Sequence, residues 1–144
     1  RVAERWTERL GGTPLAFIHK TRDITQPNQV MANRVVGQVE GRTCVIVDDM
    51  VDTGGTVVKA ADALMAAGAA EVIVAATHAV LSDPAVDRLK NSPIKEVVLT
   101  NTLPVPEERQ FDGLTVLSIA PLIARAIREG FEDGSVTSLF GGAA

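Results

Sequence analysis

Short apolar runs alternate with amphipathic stretches along most of this chain, and that alternation predicts the architecture. In "VAERWTERL" the residues Val2, Trp6 and Leu10 recur at helical spacing, and Gly11 and Gly12 follow where a left-handed cap is wanted, so a helix is expected over 2–10. "PLAFI" (14–18) reads as a short apolar strand. "HKTRDITQPNQVMAN" (19–33) follows neither period over a span longer than most connections, the mark of a functional loop or of a misassigned element. "RVVGQVEGRTCVIVDD" reads as two strands joined by a tight turn at Glu40 and Gly41; the second is almost wholly apolar and is expected to be central in its sheet.

The next helix is better marked. "TVVKAADALMAAGA" sets Val57, Ala61, Leu64 and Gly68 on one face, is rich in alanine and stops at that glycine. "EVIVAAT" is a buried strand, "SDPAVDRLKN" a short helix with Pro84 in its first turn, "EVVLTN" a further strand and "LTVLSI" the last. "PLIARAIREGF" closes the pattern with Leu122, Ile123, Ala126 and Ile127 facing inward. Strands alternating with amphipathic helices imply an α/β fold, a parallel sheet with right-handed crossovers and helices on both faces. In such sheets ligands gather at the carboxyl ends of the strands.

Composition narrows the class of ligand. With 144 residues, 46% of them hydrophobic, the chain has the material for one domain spanning 1–144. No run reaches the roughly 18 apolar residues of a membrane span, and "RVAERWTERL" is too charged for a signal peptide, so a soluble protein without a membrane partner is expected. The single Cys44 lies inside the apolar run "TCVIV", which excludes a disulfide framework and fits a reducing cytoplasm. A net charge of -4 and few aromatics, none of them Tyr, argue against a nucleic-acid surface. A small-molecule site is the better expectation. The chain starts on a helical pattern without an initiating Met, which predicts a fragment.

The chemistry concentrates in "VIVDDMVDTGGTVV", residues 45–58, where a buried strand runs into a turn and then a helix. Gly54 and Gly55 allow close backbone approach, and free N–H groups at the helix start, with the hydroxyls of Thr53 and Thr56, suit a phosphate. No lysine follows the glycines as a Walker A motif requires. Asp48, Asp49 and Asp52 argue further against a pure phosphate cradle, because carboxylates within ~5 Å of a phosphate repel it unless hydroxyls or a cation intervene. A sugar phosphate supplies both needs: its phosphate enters the Thr/Gly turn, its diol meets Asp48 and Asp49, and Mg²⁺ screens the remaining charge. The plainer reading makes the glycines and threonines ordinary turn formers and Asp48 or Asp52 a helix cap.

These residues carry a resemblance. "VIVDDMVDTGGT" resembles the ribose-phosphate-binding motif shared by type I phosphoribosyltransferases and ribose-phosphate pyrophosphokinases, and "HKTR", "ATHAVLSDPAVDRLKNS", "VVLTNTLPVPEE" and "SVTSLF" resemble the pyrophosphokinases. The likeness covers nearly all of the chain. It implies a phosphoribosyltransferase type I-like fold and most of the C-terminal half of a two-domain enzyme.

Carried onto this sequence, the resemblance implies that Asp48 and the run Asp52, Thr53, Gly54, Gly55 and Thr56 bind ribose 5-phosphate, with Asp49 adjacent as a candidate for metal proximity. It makes Lys20 the catalytic lysine and Arg22 its partner arginine, also in contact with substrate. His19, Thr21 and Asp23 depart from the family's usual Asp, Arg and Pro at those places. Ser135 and Thr137 match hydroxyls that in some members help to bind a regulatory phosphate or ADP.

The implied reaction moves the diphosphoryl group of ATP onto the C1 hydroxyl of ribose 5-phosphate with Mg²⁺, giving phosphoribosyl diphosphate and AMP, in a homo-oligomer built from dimers, up to a hexamer. Lys20 and Arg22, two apart on an extended loop, would close over the phosphates together. Two rivals use the same motif: a phosphoribosyltransferase that consumes phosphoribosyl diphosphate, and a non-catalytic regulatory homologue of the synthase. His19, His78, Cys44, Trp6 and Met65 read as bland, with local hydrogen bonding assigned to His78 and packing to the last three.

Overall fold

The chain enters through α1 (Val2–Arg9), which ends on Gly11 and Gly12 at positive φ of 77° and 79°. In the computed structural model, residues 2–20, 33–132 and 134–140 are described. An antiparallel ribbon follows, β1 (Phe17–Lys20) against β2 (Asn33–Val36), with Ile18 opposite Val35. β1 begins later than the apolar run from 14 suggests, because its partner β2 ends at Val36, opposite Phe17, and Gly37 follows at a φ of 128°. The segment read as a patternless loop from 19 to 33 therefore contributes His19 and Lys20 to β1 and Asn33 to β2, while 21–32 lie outside the described residues.

The turn at Glu40 and Gly41 does not make a hairpin. It redirects the chain from the ribbon into a second, parallel sheet of β3 (Thr43–Val51), β4 (Glu71–Ala79), β5 (Ile94–Thr100) and β6 (Leu114–Leu117), in that order. Gly41 N–H donates to Gly68 O at 2.8 Å and Ala70 N–H to Arg42 O at 2.9 Å, so the turn is fixed to the end of the following helix. That helix, α2 (Gly55–Ala66), buries Val57, Ala61 and Leu64 on the predicted face and gives way at Gly68, whose φ is 89°. α3 (Ala85–Lys90) buries Ala85 and Leu89, with Pro84 at its N-cap.

Two buried clusters join these elements. Val57, Val74, Ala76, Ala85, Leu89, Val97 and Leu99 form one, and Val39, Ala61, Leu64, Ala69 and Val72 the other, with Ile18 and Val35 of the ribbon packed against it. α2 is thus the shared beam, carrying the sheet on one flank and the root of the ribbon on another.

β3 is an edge strand among the described residues, not the central one its composition predicts. Apolar side chains report what lies above and below a strand, here α2 on one face and Trp6 of α1 by the other, and say nothing of what pairs beside it. A similar gap separates expectation from structure in α4 (Ala120–Phe131): its stripe exists, yet no residue of the helix is buried, and Leu122, Ile123 and Ile127 are 44%, 47% and 55% exposed.

Candidate functional site

The loop between β3 and α2 sits at the carboxyl edge of the parallel sheet. Asp48 and Asp49 lie in the last part of β3, Asp52 and Thr53 in the turn, Gly54 at the N-cap of α2, and Gly55 and Thr56 in its first turn. Gly54 adopts φ 74° and ψ −10°, the left-handed region. An added Cβ there would meet Ala85 and Leu89 no closer than 3.6 Å, so backbone conformation, not space, asks for glycine. The first α2 amide with a partner inside the helix is Val58, bonded to Gly54 O at 3.0 Å. The amides of Gly55, Thr56 and Val57 therefore head the helix as donors for an anion.

The carboxylates are less uniform than their spacing suggests. Successive residues of a strand project in different directions, so Asp48 and Asp49 approach a ligand at different angles. Asp48 is half-buried and its Oδ1 accepts the Asp49 N–H at 2.9 Å; the exposed Asp49 accepts the Met50 N–H through Oδ1 at 2.9 Å. Each carboxylate keeps further lone pairs for a hydroxyl. Both line one cavity of about 590 Å³ over the carboxyl half of the sheet, with Thr77, Thr100 and Trp6. The alternative of Asp48 or Asp52 as helix cap is not what the chain does, since Gly54 occupies the N-cap without a side-chain bond.

Three supports hold the turn from behind. Leu81 N–H donates to Val51 O at 2.9 Å, Arg88 Nη1 donates to Thr53 O at 3.0 Å, and Ala85 and Leu89 pack beneath Gly54. Arg109 in turn donates from Nη1 to the carbonyls of Val80, at 3.2 Å, and Leu81. Sequence reasoning missed both arginines. Arg88 acts across 35 positions, a contact that no local pattern encodes.

Beside the turn, His78 shares a hydrogen bond with Thr102 at 2.8 Å, the local role expected of it, and Thr100 donates to Thr77 O at 2.6 Å. Lys20 ends β1 opposite Asn33, and its backbone alone is described; Arg22 lies outside the described residues. Ser135 and Thr137, the expected regulatory hydroxyls, bond to one another at 2.6 Å. Burial raises the Cys44 thiol pKa against the opposing pull of Arg42, which suits an inert packing residue.

Among the described residues, no group of three or more His, Cys, Asp or Glu is arranged to hold a metal ion. One or two carboxylates of this turn would suit a Mg²⁺ that keeps most of its waters, and not a protein-built cage. Nor is any helix among the described residues long and apolar enough to cross a membrane.

The chain belongs to the phosphoribosyl synthetase-associated domain family, which it matches over residues 15–141. It is 66% identical over 140 residues to a ribose-phosphate pyrophosphokinase of Bifidobacterium longum, covering 97% of this chain and 41% of that protein. It is 63% identical over 144 residues to that of Mycobacterium leprae, covering 100% and 44%. The crystal structure of phosphoribosylpyrophosphate synthetase from Mycobacterium smegmatis superposes with a TM-score of 0.84 at 57% identity, over 93% of this chain and 42% of that one. The chain thus spans less than half the length of the relatives it matches.

Proposed function

We propose that the complete protein is a ribose-phosphate diphosphokinase, and that residues 1–144 are a single phosphoribosyltransferase-like domain making up most of its C-terminal half. The observation that carries this reading is the β3–α2 turn: carboxylates at the strand end lead directly into a left-handed glycine and a helix N-terminus, in a chain 66% identical to a ribose-phosphate pyrophosphokinase. The phosphate of ribose 5-phosphate lies against the amides and hydroxyls of Thr53–Thr56, where the helix end favours negative charge. Asp48, Asp49 and Asp52 accept hydrogen bonds from the sugar hydroxyls.

The C1 hydroxyl attacks the β-phosphorus of ATP; the bond from that phosphorus to the oxygen bridging it to the α-phosphorus breaks, and AMP leaves with that oxygen while the hydroxyl proton passes to solvent. Negative charge grows on the nonbridging and leaving oxygens, so alignment and fixed cations supply most of the acceleration. Lys20 and Arg22 provide that positive charge. Asp49 would help to hold a Mg²⁺, whose charge would neutralise part of that of the ATP phosphates. The enzyme works in the cytoplasm as a homo-oligomer built from dimers, up to a hexamer.

Two variants of the complete protein test the division of labour. Lys20→Ala cuts turnover by about a thousandfold or more while ribose 5-phosphate binding by calorimetry stays near wild type. Asp52→Asn does the reverse first, lowering affinity for the sugar phosphate. Near-normal turnover of the lysine variant defeats its assignment; unchanged affinity in the aspartate variant defeats the cradle. A transferase using phosphoribosyl diphosphate would release no AMP from ATP and ribose 5-phosphate, and the names of the relatives favour the synthase.

A further inference from the structure

We infer that Arg88 is a positioning residue for the sugar-phosphate turn, a role that rests on the function proposed above and adds a residue from α3 to its machinery. Arg88 Nη1 reaches the Thr53 carbonyl at 3.0 Å, and the same nitrogen would stand 3.5 Å from a Cβ placed on Gly55, so the guanidinium lies along the base of the turn. The Thr53 carbonyl and the Gly54 N–H belong to one peptide unit. In a planar trans peptide these two groups point in opposite directions. Holding the carbonyl toward α3 therefore aims the Gly54 amide away from α3.

Without that hold the peptide has an alternative. Gly54 is buried against α3 but carries no side chain, and Asp52 and Thr53 are exposed, so the backbone freedom of glycine leaves rotation of the 53–54 peptide open. A flipped unit would present the carbonyl oxygen in place of the amide, a repulsive partner for phosphate. The platform bearing Arg88 is itself firm: Ala85 and Leu89 are buried beneath Gly54, and the Arg88 N–H bonds to Pro84 O at 3.1 Å. A guanidinium suits the task, because its charge strengthens the bond to a neutral carbonyl and its planar geometry fixes direction.

Steady-state kinetics of the complete enzyme with ribose 5-phosphate and ATP as variable substrates test this. Arg88→Ala is expected to raise KM for ribose 5-phosphate about tenfold, while kcat and KM for ATP change less than twofold. Arg88→Lys, which keeps one charged donor, is expected to recover part of the loss, whereas Arg88→Gln recovers less; these two variants carry the test if the alanine variant does not fold. An unchanged KM for ribose 5-phosphate in the folded variants, or a loss spread equally over kcat and both KM values with Lys no better than Ala, overturns the role of Arg88 alone. A wild-type enzyme that shows no saturable dependence on ribose 5-phosphate overturns the proposed function, and the inference with it.

Discussion

α2 and α4 are helices of equal length, 12 residues each, and both carry an apolar stripe at helical spacing, yet their fates differ. α2 buries Val57, Ala61 and Leu64 between the sheet and the ribbon; α4 buries nothing, and Phe131 at its end is 87% exposed. Amphipathicity specifies that a helix has a face to cover. It does not specify that the cover belongs to the same segment of chain. The weaker-patterned helix, rich in alanine, is the better buried because small side chains let it approach two sheets at once.

Three experiments press on that contrast. The largest effect belongs to Leu64→Ala: with 5% of its surface exposed and a full cluster around it, truncation costs about 2–5 kcal/mol, read as a shift in denaturant midpoint at constant slope. Ile127→Ser, at the centre of the α4 stripe, is expected to change the stability of this chain by no more than about 0.5 kcal/mol. Repeating it in the complete protein sharpens the comparison, since a cost there approaching that of Leu64→Ala would mean that a cover exists outside this chain.

The smallest effect lies at the amino edge of the sheet, where Lys95 bonds to Glu71 at 2.5 Å. The hydrogen bond from Lys95 lowers the carboxyl pKa of Glu71 below its usual value. A depressed folded-state pKa adds stability above the ordinary carboxylate range and loses it as pH falls through the lowered value. Glu71→Gln should therefore flatten the acid limb of the stability profile slightly and leave neutral pH almost untouched, because the pair is exposed. A large loss at neutral pH would break the expectation.

Periodicity made the sheet and its helices legible. Val57, Ala61 and Leu64 announced their face and "EVIVAAT" announced the buried strand β4, whereas β3, read from "TCVIVDD" as buried, is mostly half-buried or exposed. Pairing partners were not legible, because composition describes the faces of a strand and not its flanks; β3 was expected at the centre and stands at an edge among the described residues. The turn from Asp48 to Thr56 could be read because its residues are contiguous and their chemistry is local. Arg88 could not, since only the packing of α3 beneath Gly54 brings it to Thr53. The adjacent letters of Asp48 and Asp49 suggested a pair, and both line one cavity, though alternation along β3 gives the two side chains different directions.

The unpartnered flank of β3 carries a practical consequence. A nine-residue extended backbone with one row of peptide groups left without a neighbour among the described residues is a template for strand addition. Produced by itself at high concentration, this polypeptide would be prone to self-adhesion along that seam, and a lysine introduced there would be the simplest gatekeeper.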